Sequence, residues 1–224
     1  MSISDRVIGW IFSDISVCFI LPLIFGVLIL AFPTVIADVL RTIHISLPEF
    51  LWGGAEIPLE YILTIGISQG LLTGGIPIFL GLAWNRWAVG ASGFLLSLLY
   101  TVGMAAYFGE YFIPTLDWLG LIVSGMLAGY IAGALMARSR MRGDTSLKTM
   151  LIWSIVASIV AIVFTTQTYI WYSPMFQPIN GNYMDGVTYS YFINIVIYIV
   201  WAILGVIVAK VASWFGIPKM PEYT

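Results

Sequence analysis

The sequence predicts an all-α protein, a polytopic bundle of about six membrane-spanning helices that forms a single integral membrane domain over residues 1–224. Three observations support this class. The 224 residues are 60% hydrophobic and only 9% charged, whereas a soluble domain carries about 25% charged residues. Uncharged stretches long enough to cross a bilayer recur along the chain. The few basic residues cluster near the ends of these stretches, as in multi-spanning proteins.

The uncharged stretches define the helices. An α-helix rises 1.5 Å per residue, so roughly 20 apolar residues cross about 30 Å of hydrocarbon. No Asp, Glu, Lys or Arg occurs in residues 15–37, 61–85 or 151–184. The stretches are too long for barrel strands and lack alternation, so helices are the structure that satisfies their backbone in lipid. The predicted spans cover residues 15–37, 61–84, 88–108, 118–137, 150–171 and 189–209.

The residues before the first span predict a short interfacial helix. Ile3, Val7 and Ile11 recur every four residues and share one helical face. Asp5 and Arg6 cancel, and the apolar stretch that follows is long enough to span. We therefore expect a retained helix on the cytoplasmic surface rather than a cleaved signal peptide.

The distribution of basic residues predicts the orientation. With six spans, eight of the nine Lys and Arg residues fall on one side and only Arg41 on the other. Because basic residues accumulate in cytoplasmic loops, both termini are predicted to be cytoplasmic, in a multi-pass protein of the cell membrane. We interpret Arg138, Arg140 and Arg142 as topology determinants that contact anionic lipids, with a soluble partner as the alternative.

Small residues at four-residue spacing predict how the helices pack. The second and fourth spans each contain a GxxxGxxxG strip, which permits close backbone approach in a bilayer. We expect spans two, three and four to form a tight inner group. Residues 70–74 and 125–129 are also similar to each other, and both a duplication and independent convergence remain open. The predicted packing glycines are Gly66, Gly70, Gly74, Gly125, Gly129 and Gly133.

Three prolines predict interruptions in the spanning helices. Pro22 and Pro33 lie in the first span, and Pro77 follows Gly74 and Gly75 in the second. A proline removes a backbone donor and collides with the carbonyl four residues earlier, so we expect a kink at each.

The sequence offers little reactive chemistry. A single cysteine, Cys18, and a single histidine, His44, argue against a disulfide framework, a metal site and a bis-histidine haem. The acidic residues fall at span ends, which argues against an intramembrane proton relay. No nucleophile–base pair is evident, and the net charge of −2 does not suggest a nucleic-acid partner. We therefore predict no enzymatic activity, no cofactor and no metal.

Neutral polar residues at depth are the candidate ligand-binding groups. One interpretation is interhelical hydrogen bonding, worth about 0.6 kcal/mol per bond on average. The other is a cavity that holds a small neutral or zwitterionic solute. Residues 165–168 add further polar groups to the outer half of the fifth span. The candidates are Ser68, Gln69, Thr73, Gln167 and Asn194.

These features predict a small-solute binding or transport subunit that depends on other membrane subunits or on oligomerisation. Six spans, cytoplasmic termini, a long first outer loop and the stretch from Gly74 to Phe79 resemble the substrate-capture components of energy-coupling factor transporters in outline. The first span lacks the small-residue strip of those proteins, and we assign no family. The alternative is a non-catalytic scaffold or assembly subunit of a larger membrane complex.

Overall fold

A computed structural model describes residues 15–42, 63–84, 86–108, 117–172 and 183–214, and within these ranges all the regular secondary structure is helical. We number six helices, α1–α6. The predicted interfacial helix before residue 15 and His44 lie outside the described residues. Helices α1 and α2 each combine a π-helical and an α-helical part. The bounds are Ser16–Ile20 and Leu21–Thr42 for α1, Thr64–Gly75 and Ile76–Ala83 for α2, Arg86–Phe108 for α3, Asp117–Met141 for α4, Leu147–Tyr172 for α5 and Tyr183–Trp214 for α6.

All six helices are long and apolar enough to cross a membrane, which confirms the predicted number among the described residues. The sixth helix begins at Tyr183 instead of residue 189 and continues to Trp214. The early start is understandable because Asp185 suits the positive end of the helix dipole. Gly186 alone costs only about 1 kcal/mol in a helix. The cytoplasmic placement of the termini stays a prediction.

Two prolines are preceded by widened helical turns. The π-helical parts end at Ile20 and Gly75, two residues before Pro22 and Pro77. At each site the residue before the proline bonds to the carbonyl five positions back, Leu21 to Ser16 and Ile76 to Leu71. A wider turn relieves the clash of the proline ring with the carbonyl four positions back. Pro33, by contrast, lies within the α-helical part of α1.

Helix α4 packs on α3 and on the second half of α2 through backbone contacts. A Cβ atom on Gly93 would collide with the carbonyl oxygen of Gly125. A Cβ atom on Gly81 would lie 2.6 Å from the oxygen of Gly129 and 2.9 Å from the nitrogen of Gly133. Only glycine allows this approach, so these contacts agree with the predicted inner group of spans two, three and four.

The first glycine strip of the sequence packs differently, against α6. A Cβ atom on Gly70 would overlap the indole of Trp201, and one on Gly74 would lie 2.9 Å from the Tyr198 ring. At Gly66 a Cβ atom would meet nothing within 4 Å; its carbonyl instead accepts a 2.8 Å hydrogen bond from Nε1 of Trp201. The glycine strip on α2 therefore leaves room for aromatic side chains of α6 to pack against the helix backbone.

The helices differ in how far they are enclosed. In the apolar window of α2, 72% of the residues are buried, against 18% in α1 and 28% in α6. The exposed side chains of α1 are large and apolar, such as Ile24, Phe25 and Leu28. Helix α2 is thus central, and α1 lies at the periphery with its apolar side chains exposed.

A hydrogen-bonded turn joins α4 to α5. Gly143 has a φ of 73°, and its N–H donates to the Arg140 carbonyl at 2.9 Å. Ser146 caps α5, because its hydroxyl accepts from the N–H of Thr149 at 3.3 Å. The Asp144 carboxylate accepts from the Thr149 hydroxyl at 2.6 Å and from the Ser146 N–H at 3.1 Å. These bonds fix the start of α5.

This turn predicts a pH-dependent contribution to stability. Hydrogen bonds from the Thr149 hydroxyl, and then from Ser146, hold the pKa of Asp144 below its ordinary value of 3.8. The contribution of the folded-state bonds is complete above pH 3.8 and is lost as the pH falls through the lowered pKa. We expect Asp144→Asn to unfold at lower denaturant than the wild type at neutral pH, and the difference to shrink in acid. A difference that does not change with pH would contradict this assignment.

Candidate functional site

A chain of hydrogen bonds crosses the centre of the bundle. The Tyr100 hydroxyl on α3 donates to Oε1 of Gln69 on α2 at 3.3 Å. Nε2 of Gln69 donates to Oδ1 of Asn194 on α6 at 3.3 Å, and Nδ2 of Asn194 donates to the Thr166 hydroxyl on α5 at 3.1 Å. We call Tyr100, Gln69, Asn194 and Thr166 the amide chain. It connects four helices, and each donor points from α3 toward α5.

A second set of polar groups surrounds the hydroxyl of Tyr198, which is fully buried. This oxygen lies 2.7 Å from the hydroxyl of Thr73, 3.1 Å from that of Thr165 and 3.2 Å from that of Ser124. Thr73 donates its own hydrogen to the Gln69 carbonyl at 2.7 Å, so Tyr198 is the donor to Thr73. We call Tyr198, Thr73, Thr165 and Ser124 the tyrosine cluster.

The amide chain and the tyrosine cluster each include a hydrogen bond between α2 and α6. The pairs Gln69–Asn194 and Thr73–Tyr198 both have a sequence separation of 125. A constant separation means that the two helices run in the same direction. Further along, a Cβ atom on Gly205 would lie 3.0 Å from the carbonyl oxygen of Gly75. Helices α2 and α6 therefore run parallel where residues 69–75 contact residues 194–205.

The structure brings together three of the five predicted ligand-binding residues, Gln69, Thr73 and Asn194. Ser68 faces another direction, and its hydroxyl donates to the carbonyl of Ile29 at 2.8 Å, which connects α2 to α1. The side chain of Gln167 lies outside the described part of the structure.

Sequence reasoning missed Tyr100, Ser124 and Tyr198. The two tyrosines carried a usable signal, because a tyrosine within a span must find a partner for its hydroxyl. Ser124 lies beside Gly125 of the predicted packing strip, where a small residue is expected for steric reasons alone.

The site is built for neutral hydrogen bonding. Its eight side chains are amides and hydroxyls, and Gln69 is 7% exposed while Asn194 is half-buried. Each amide nitrogen carries two hydrogens, of which one is used toward the described residues. Within those residues, no three His, Cys, Asp or Glu side chains lie together as a metal site requires. The arrangement is suited to hold a polar, uncharged group.

Comparisons with protein-family models, with curated proteins and with solved structures find no match for this chain. Its function must be inferred from the site.

Proposed function

We propose that this protein is a membrane-embedded binding or transport subunit for a small neutral or zwitterionic solute. Gln69 and Asn194 would form the centre of its site. The observation that carries the proposal is the contact between these two amides, because each keeps an N–H without an acceptor among the described residues. Gln69 is buried, and a buried donor without a partner is costly, so a solute acceptor would be favoured there.

The bonds around Gln69 are also easy to exchange. Both of its side-chain bonds measure 3.3 Å, whereas N–H···O bonds are usually about 2.9–3.0 Å and O–H···O bonds about 2.7–2.8 Å. A solute that replaced one of them would lose little. Gln69 further lies in the π-helical part of α2, Thr64–Gly75, and π-turns are frequent at functional sites.

The lack of charge at depth supports dependence on a partner. Residues 61–85 and 151–184 contain no Asp, Glu, Lys or Arg. Ion-coupled transporters commonly use intramembrane ionisable groups. A solute-binding subunit built like this one would draw its driving force from another subunit.

Thermal unfolding of the detergent-purified full chain in a library of neutral, zwitterionic and charged solutes tests this function. We expect a neutral or zwitterionic solute to stabilise the protein, by about 2.7 kcal/mol at a concentration of 100 times its Kd. Gln69→Leu should raise the Kd about ten-fold, since a lost bond of about 1.4 kcal/mol corresponds to that factor. At the same solute concentration the stabilisation should then fall to about half.

Ser154→Ala provides the matched control. Ser154 is fully buried, but its hydroxyl donates to the Leu151 carbonyl within α5 at 2.9 Å. It belongs neither to the amide chain nor to the tyrosine cluster. This variant should respond to the solute as the wild type does. A folded wild type that no solute stabilises would overturn the proposal.

A second candidate function is a non-catalytic scaffold subunit. The observation that favours it is that the amide chain and the tyrosine cluster together connect α2 through α6 by bonds within the chain. A scaffold would show no solute response, would retain other membrane subunits under native mass spectrometry, and would lose its fold when they are removed.

A further inference from the structure

One end of the bundle carries basic side chains that no described residue pairs with. Arg138, Arg142 and Lys148 are exposed around the α4–α5 turn, and Lys210 is half-buried near the end of α6. We call these four residues the basic rim. We propose that the basic rim binds anionic lipid headgroups and that the neighbouring Arg140 does not belong to it.

Contacts between helices place the residues of the basic rim at the same end of the bundle. Arg140 donates from Nη1 to the Trp84 carbonyl at 3.4 Å, so the end of α2 lies beside the end of α4. Since α6 runs parallel to α2, Lys210 lies toward that same end. The four residues of the basic rim thus lie at the same end of the bundle.

The short turn favours lipid over a soluble partner. Only residues 142–146 separate Met141 from Leu147, and both of these residues end candidate membrane spans. Their side chains are apolar and exposed, Met141 by 82% and Leu147 by 46%. A turn of this length with apolar residues on both sides stays in the headgroup layer, where anionic lipids attract Lys and Arg.

The four residues of the basic rim outnumber the carboxylates that the structure describes at this end of the bundle. Asp144 is the only carboxylate among the described residues at this end, and its oxygens accept from Thr149 and from Ser146. The basic side chains therefore dominate the charge that faces the headgroups. Each Lys or Arg near a membrane surface strengthens binding to anionic lipid roughly five-fold.

Arg140 differs from its neighbours because its guanidinium is turned inward. Besides the bond to Trp84, its Nη2 donates to the Leu82 carbonyl. Leu82 lies in the last turn of α2, where backbone carbonyls have no intrahelical partner. We therefore assign Arg140 as a cap for α2 and, unlike Arg138 and Arg142 with which the sequence groups it, leave it out of the basic rim.

Native mass spectrometry of the full chain in detergent, with an equimolar mixture of phosphatidylglycerol and phosphatidylcholine, tests the proposal. We expect the wild type to retain phosphatidylglycerol at least five-fold over phosphatidylcholine, which is the factor for a single basic side chain per headgroup. A triple variant, Arg138→Gln, Arg142→Gln and Lys148→Gln, should retain the two lipids almost equally. If this variant does not fold, Lys148→Gln alone should lower the preference.

Arg140→Gln is the discriminating control. It should keep the preference for phosphatidylglycerol and unfold at lower temperature, because it loses the cap and not the headgroup contact. The proposal is overturned by a wild type without lipid preference, by a folded triple variant that keeps it, or by a folded Arg140→Gln that loses it. Displacement of phosphatidylglycerol by inorganic phosphate at the same concentration would also overturn it, since that indicates a phosphate site.

Discussion

Replacing Gly93 by alanine is expected to destabilise the protein by about 1–3 kcal/mol, the range for overpacking a tightly packed interior. The added methyl group would collide with the carbonyl oxygen of Gly125 and would lie 2.8 Å from its carbonyl carbon. These are backbone atoms of α4, so neither can move aside as a side chain would. The two helices must separate, and the packing on both sides of α4 weakens.

Gly66→Ala is the matched control for this substitution. It also adds one methyl group to a glycine within a predicted span, but the new atom meets nothing within 4 Å. Because alanine favours a helix over glycine by about 1 kcal/mol, this variant should be as stable as the wild type or slightly more stable. Reversible unfolding in detergent measures both. Equal destabilisation of the two variants would contradict the assigned crossing of α3 and α4.

Replacing Tyr198 by phenylalanine is the second change with a large expected effect, about 1–2 kcal/mol of lost stability. The substitution keeps the ring against Gly74 and removes only the hydroxyl that contacts Thr73, Thr165 and Ser124. A buried hydrogen-bonding group left without its partner costs about 1–3 kcal/mol. Bonds between membrane helices tend to the lower end of this range.

Tyr107→Phe serves as the control for the loss of a tyrosine hydroxyl. Tyr107 is 69% exposed near the end of α3, where solvent or headgroups can replace lost contacts. Its substitution should change stability by less than about 0.5 kcal/mol. If both tyrosine variants unfold alike, the tyrosine cluster does not connect the helices as the distances indicate.

The number of spanning helices could be predicted because hydropathy is a local property. An uncharged stretch such as residues 15–37 needs no knowledge of its neighbours to be recognised. Helix ends are less certain, as α6 shows by starting at Tyr183. Sequence patterns mark its start weakly, since Gly186 disfavours a helix and Asp185 favours its first turn.

Packing partners were harder to predict than the helices themselves. A glycine strip indicates that another helix approaches closely, but it does not indicate whether backbone or side-chain atoms make the contact. The strip of α4 receives backbone at Gly125, whereas the strip of α2 receives the aromatic rings of Trp201 and Tyr198 at Gly70 and Gly74. The same motif thus serves two kinds of contact, and only the three-dimensional arrangement separates them.

The candidate site was predicted in part for a related reason. Gln69 and Asn194 stand out because amides are unusual in apolar stretches, and they do meet. Ser68 was grouped with Gln69 by its position in the sequence, but adjacent residues of a helix face different directions. Its hydroxyl reaches Ile29 on α1 instead. Tyr100 and Tyr198 count as hydrophobic residues in the sequence pattern, although their hydroxyls belong to the amide chain and to the tyrosine cluster.

The cap that Arg140 provides also has a consequence for how the chain is inserted into the membrane. The carbonyls of Leu82 and Trp84 obtain their partner from a residue 58 and 56 positions later in the chain. During synthesis the second helix therefore enters the bilayer before the group that completes its end exists. The bonds between Arg140 and the end of α2 can therefore form only after the fourth helix has been synthesised.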